Sequence, residues 1–273
     1  MAATQNSNID RMRRHIAKKF VTTVHGLRWS ALCGRLYGPR VLLNSIPKSG
    51  THLVESLVES LPLMRNAGQT TLSCWDACSE NVKEKLLQIG NGEFLNAHLT
   101  GLDDVLEIVE SAGLRVLIVV RDPRDVVVST YHYVRDIDKL HPAHKRFAGL
   151  SNHDALTLAI QGGVEFIPSI FETLTRFKPW LKHKSSKIVR FEYLSPVCAP
   201  RARRVQELKK IADHLDLNNV DPEDYIESNV NVGSSTFRKG KSGEWHNEFS
   251  SEHIELFKKL VPESLLYCYG YGW

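Results

Sequence analysis

Apolar positions fall into two alternating patterns after about residue 40. Short runs, Val41–Ile46, Phe94–His98, Arg115–Val120 and Lys187–Phe191, read as strands. Leu117 to Val120 is continuously apolar, which is the signature of a strand buried on both faces. Between these runs the period lengthens to that of a helix, over Thr51–Leu61, Asn81–Ile89, Leu102–Ser111, Pro123–Arg135, Asp154–Gln161 and Val164–Trp180. Two further helices are predicted at Arg201–Leu215 and Ser250–Leu260, and the Gly-, Ser- and Asn-containing stretch Ser228–Phe249 reads as a long ordered loop. Strand and helix in alternation, joined by right-handed crossovers, predict an α/β fold: an open parallel sheet with helices on both faces. Residues 41–273 are expected to form one domain, preceded by a separate segment, 1–40.

That first segment carries an apolar helical stripe, Ile9, Met12, Ile16 and Phe20, flanked by cations. Residues 1–40 hold eight Lys or Arg and one acid, Asp10. The pattern suits a basic helix packed on the domain, a membrane-surface contact or a targeting peptide. The net charge of the chain is only +4, which gives no electrostatic footprint for nucleic acid. No run is apolar for long enough to span a bilayer. The five cysteines form an odd, scattered set, as expected of reduced thiols in the cytoplasm. Cys74 and Cys78 share a face if that stretch is helical, but no second pair at zinc spacing accompanies them, so no metal is expected.

Candidate chemistry concentrates at the predicted strand ends, where ligands bind in open α/β sheets. The first strand runs into Pro47-Lys-Ser-Gly-Thr51 and then a helix N-terminus. Backbone N–H groups, the helix dipole and the Lys48 ammonium together make an anion site, for phosphate or sulfate. His98 ends the second major strand. Arg121 follows the third and opens Arg121-Asp-Pro-Arg-Asp-Val-Val-Val-Ser129, with Pro123 in the first helical turn. Arg121 and Ser129 are placed to grip a second phosphate; the alternative is a simple ion pair of Arg121 with Asp122 or Asp125. A third basic segment, Arg238-Lys-Gly-Lys-Ser-Gly-Glu-Trp245, reads as a flexible clamp. Its Gly240-Lys-Ser242 imitates the end of a Walker A loop, but position 235 is Ser and no strand precedes it.

In this order and at these separations the three segments resemble the cytosolic-type sulfotransferase family. The resemblance implies a P-loop-like fold and a sulfonate donor, 3′-phosphoadenosine 5′-phosphosulfate (PAPS), with the bisphosphate PAP as product. It assigns Pro47, Lys48, Ser49, Gly50 and Thr51 to the donor's 5′-phosphosulfate, and the position of His52 just past the helix start adds its backbone N–H to that loop. It assigns Arg121, Ser129, Arg238, Lys239 and Gly240 to its 3′-phosphate. It also implies His98 as general base, Lys48 as catalytic cation, and a small-molecule or carbohydrate acceptor. Leu53, Phe191 and Asn96 depart from the common pattern; Phe191 stands where many members have a Tyr at the adenosine end. A P-loop kinase is the competing reading, weakened by the absence of Gly-x-x-x-x-Gly-Lys-Ser/Thr at the first loop.

Overall fold

The computed structural model describes residues 33–68, 70–164, 166–217, 219–227 and 240–273. The expectations for residues 1–32, and for 228–239 of the predicted loop, therefore lie outside the described residues.

Six parallel strands make the sheet: β1 (Val41–Ser45), β2 (Arg65–Asn66), β3 (Leu72–Cys74), β4 (Glu93–Leu99), β5 (Arg115–Val120) and β6 (Ser186–Arg190). Their order is β2-β4-β1-β5-β6, and β3 pairs with β4 further along its length. The central strand β1 is flanked by β4 and β5, in register Val41 with Phe94 and with Arg115. All pairings are parallel, so every strand ends on the same edge.

Side chains alternate cleanly about this sheet. Leu42, Ala97, Val116, Ile118 and Val120 point to one face and join the larger core. There they meet α2 (Glu80–Leu87), α3 (Asp103–Ser111), α4 (Pro123–His132), α6 (Asn152–Gln161) and α7 (Ile170–Phe177). The short α5 (His144–Ala148) adds Phe147. Val41, Leu43, Phe94, Leu117, Val119 and Val189 point the other way, to α1 (Thr51–Ser60) and α9 (Arg201–His214). A one-residue register slip in β5 would exchange these two sets, so the double-sided burial fixes the pairing. The expected α/β architecture with helices on both faces is the observed one.

Several expectations need correction. The helix predicted over Val164–Trp180 begins only at Ile170; before it, Val164 and Ile167 form an isolated bridge, and beyond it the chain tightens to a 3₁₀ turn, Lys178–Lys182. Gly162 and Gly163 with positive φ precede that bridge, and Pro168 disfavours a helical residue before it. Cys74 ends strand β3 and Cys78 lies in the turn after it, so the two are not on a helix. The long loop closes with α10 (Trp245–Glu248), followed by α11 (Ser251–Leu260) and α12 (Glu263–Cys268). The two-residue β2, the three-residue β3 and α8 (Phe191–Leu194) are too short to leave a periodic signal. Among the described residues no helix is long and apolar enough to cross a membrane.

Candidate active site

Strand β1 delivers the chain to a tight turn in which the Ser49 N–H donates to the Ile46 carbonyl (3.1 Å). Lys48 and Gly50 both adopt left-handed backbone, φ 69° and 91°. For Lys48 that conformation costs about 1–2 kcal/mol, a strain typical of functional loops. At Gly50 a β-carbon would collide with the Phe191 ring. Gly50 is the N-cap of α1 and supplies no side-chain cap, which leaves first-turn N–H groups of that helix for an external acceptor. Ser49 is fully buried, and its hydroxyl has no partner among the described residues. Beside the uncapped start of α1, that hydroxyl is available to a further polar atom.

His98 stands beside that loop. Asn44 bonds both ways to the Leu99 backbone, accepting from its N–H (2.8 Å) and donating to its carbonyl (2.9 Å). The ladder between β1 and β4 is thereby continued past its last regular pair, and His98 is held against Ser45. Its Nδ1 lies 2.8 Å from the Ser45 carbonyl oxygen, which can only accept. The ring proton therefore sits on Nδ1, and Nε2 is the basic nitrogen. Burial, with Lys48 and His52 nearby, lowers the imidazole pKa below its ordinary value of 6.5 despite the Ser45 bond. The ring is neutral near pH 7 and able to take a proton. Ser45 also meets the Thr51 hydroxyl (2.7 Å), locking strand end to helix start.

Lys48 reaches over the Tyr133 ring, its ammonium 3.4 Å from the centroid. Burial first, then Arg121, pushes its pKa down from 10.5 to about 8. Arg121 is itself buried, 8 % exposed, and spans two segments: Nη1 donates to the Lys48 carbonyl (3.4 Å) and Nη2 to the Lys241 carbonyl (2.7 Å). Its guanidinium lies 4.7 Å from the Phe191 ring centroid, and its Nε has no partner among the described residues. The simple ion pair considered for Arg121 does not form. Asp122 instead holds Arg124 bidentately (2.8 and 2.7 Å), and Asp125 turns to the strap at 240–245.

That strap is fixed by long-range bonds. Asp125, 1 % exposed, accepts from the Gly243 N–H (2.7 Å), the Ser242 hydroxyl (3.1 Å) and the Trp245 N–H (3.1 Å). The Ser195 hydroxyl donates to the Gly240 carbonyl (2.7 Å). Arg124 stacks on Trp245 and Trp273, 4.1 and 5.1 Å from their centroids. Behind Arg121, Glu192 accepts from the Asp122 N–H (2.9 Å) and the Tyr271 hydroxyl (2.9 Å), and burial raises its pKa.

The predicted positions thus meet where they are described. Pro47 to His52, His98, Arg121, Phe191 and Gly240 gather at the carboxyl edge of the sheet; Ser129 is half-buried on α4. Arg238 and Lys239 lie outside the described residues. The His52 ring turns to Glu55 (2.9 Å), leaving the loop with only its backbone. Asn96 is buried beside Glu55, its Oδ1 without a partner among the described residues. Asn44, Asp125, Tyr133, Asp138 and Glu192 escaped sequence reasoning. Only Asp125 carried a signal, an acid within the Arg-Asp-Pro-Arg-Asp segment that was read as a partner for Arg121.

The family profile described as "Sulfotransferase domain" matches residues 38–266. The chain belongs to the sulfotransferase family. Within the family it is similar to zebrafish (Danio rerio) sulfotransferase 6B1, 25 % identical over 199 residues, or 67 % of this chain. The matching part spans 62 % of that relative's length. Mouse sulfotransferase SULT7A1, solved with PAP, shares the fold at a TM-score of 0.57 and 22 % identity, over 86 % of this chain and 90 % of the mouse one. Among the described residues no group of three or more His, Cys, Asp or Glu side chains is arranged to hold a metal ion.

Proposed function

We propose that this chain transfers a sulfonate group from PAPS to a hydroxyl or amine of a small-molecule or carbohydrate acceptor in the cytoplasm. The observation that carries the reading is Arg121, which ties the Lys48 loop to the strap at Lys241 with an uncommitted Nε in between. The fit to a doubly anionic nucleotide rests on three features at this edge of the sheet: that Nε, the orphan Ser49 hydroxyl, and the uncapped start of α1 beside Gly50. The odd set of five cysteines supports a reducing compartment.

PAPS supplies an activated sulfonate whose leaving group is a phosphate oxygen. His98, neutral and with Nε2 free to accept, takes the acceptor's proton. Lys48 and the N–H groups at Gly50 to His52 meet negative charge developing at the leaving oxygen; one such donor is worth about 2.7–4 kcal/mol. Arg121, Ser129 and Gly240, with Arg238 and Lys239, hold the 3′-phosphate and so distinguish the donor from ATP. Cationic side chains here carry the charge that magnesium carries in phosphoryl transfer.

Thermal unfolding with PAP or with Mg-ATP tests this. Near 100 times its dissociation constant, PAP should add about 2.7 kcal/mol of stability, and Mg-ATP far less. Stabilisation by Mg-ATP alone overturns the reading in favour of a kinase. Label from ³⁵S-PAPS appearing in a small acceptor completes the test.

A further inference from the structure

The helix α4 does not stop at His132. It widens into a π turn over Tyr133–Ile137, and the Asp138 N–H closes it by donating to the Tyr133 carbonyl (2.8 Å). A π turn places residues five apart one above the other, and such turns concentrate at functional sites. Here the same two residues are tied a second time, because the Tyr133 hydroxyl donates to Asp138 Oδ2 (3.0 Å). Asp138 Oδ1 accepts from the Leu140 N–H (3.1 Å), which fixes the carboxylate on its other side. On the face of the Tyr133 ring lies the Lys48 ammonium, 3.4 Å from the centroid.

Lys48 is faced from several elements. Arg121 comes from the end of β5 and His98 from the end of β4. Tyr133 and Asp138 come from the π turn, and His141 from the loop beyond it, edge-on to the Tyr133 ring at 6.4 Å. Two of these, Arg121 and Asp138, bear full charges of opposite sign on Lys48: the guanidinium favours loss of its proton and the carboxylate favours its retention.

We propose that Tyr133 and Asp138 are positioning residues for Lys48, the ring carrying its ammonium and the carboxylate offsetting Arg121. The inference rests on the sulfonate-transfer reading and assigns two residues to it. Only the protonated lysine can stabilise a leaving phosphate, so the fraction of charged Lys48 limits the reaction on the alkaline side. Asp138 sets how far up in pH that fraction persists. Tyr133 holds the charge beside the loop without committing it to an ion pair, which would have to be broken for the donor.

The test is the pH dependence of kcat/KM for PAPS, which reports ionisations of the free enzyme. In Asp138→Asn the alkaline limb should move to lower pH. Activity at pH 6.5 should stay within about twofold of wild type, while at pH 8.5 it should fall about three- to tenfold, because one pKa unit is tenfold in the charged fraction. Tyr133→Phe keeps the ring and cuts the tether, so its limb should move the same way by less. Tyr133→Leu should raise KM for PAPS at every pH. If Asp138→Asn does not fold, Tyr133→Phe carries the test. A limb that stays in place, or a loss equal at all pH values, overturns the proposal and leaves a structural role only. Stabilisation of the wild type by PAP separates the two levels: without it the donor reading itself fails, whereas with it an unmoved limb sinks this inference alone.

Discussion

The loop Pro47–Thr51 and the strap Gly240–Trp245 face the same Arg121, yet they are built in opposite ways. The loop is local. Its shape follows from the end of β1, two left-handed residues and the first turn of α1, all within a few positions of one another. The strap has little structure of its own. Asp125, Ser195 and Arg121, tens to more than a hundred residues away in sequence, hold its backbone in place. A site half of which is local and half of which is borrowed should fail in two distinguishable ways. Damage beside the loop should reach the chemistry, and damage to the strap's anchors should reach donor affinity and stability.

The largest expected effect is on the loop side. His98→Ala should lower kcat about 10²- to 10⁴-fold and leave the thermal shift with PAP close to wild type. A variant that turns over normally would remove His98 from the reaction. On the strap side, Asp125→Ala abandons three donors around a buried carboxylate. Hydrogen bonds to charged groups contribute about 1.5–3 kcal/mol each, so PAP affinity should fall about 10- to 100-fold and the melting temperature by several degrees. Calorimetry with PAP reads both; a loss confined to kcat would break the contrast between the two regions. Gly50→Ala brings a methyl into the Phe191 ring and into left-handed backbone. A cost of about 1–2 kcal/mol from the backbone alone should appear as a lower melting temperature, with weaker PAP binding.

The smallest effect sharpens the comparison through pH. The folded pKa of His98 lies below its unfolded value of 6.5, so the unfolded chain binds the proton more readily. Stability contributed by the neutral ring is present above pH 6.5 and is lost as pH falls toward the folded value. Wild type should therefore lose more stability than His98→Gln between pH 7 and pH 5, measured by urea unfolding. Equal losses would mean that the ring is not held neutral by its surroundings.

Local construction also explains what could be read from sequence. The run Val41 to Ile46 followed by Pro47-Lys-Ser-Gly-Thr51 declares a strand, a turn and a helix start, because the bonds that form the turn, Ser49 N–H to the Ile46 carbonyl and the first turn of α1, lie within it. The continuously apolar run of β5 was equally plain, since both faces are buried. Asp125 was visible as a residue and misleading as a partner: its ligands are backbone N–H groups some 120 positions downstream, and no local rule points to them. Tyr133 and Asp138 were hidden for a different reason. A helical period of 3.6 puts residues five apart on different sides, and only the π turn brings them together. The start of the helix at Ile170 was blurred because Val164 and Ile167 mimic helical spacing within a bridge.

The tryptophans give the molecule a built-in optical gauge. Trp245 and Trp273 sit edge to face, 6.5 Å apart, with the Arg124 charge against both, so their emission should respond when the neighbouring strap takes up an anion. Trp180 is sealed in the core with its indole N–H given to the Leu99 carbonyl (2.8 Å), and it supplies a steady background against which that change can be followed in real time without a label.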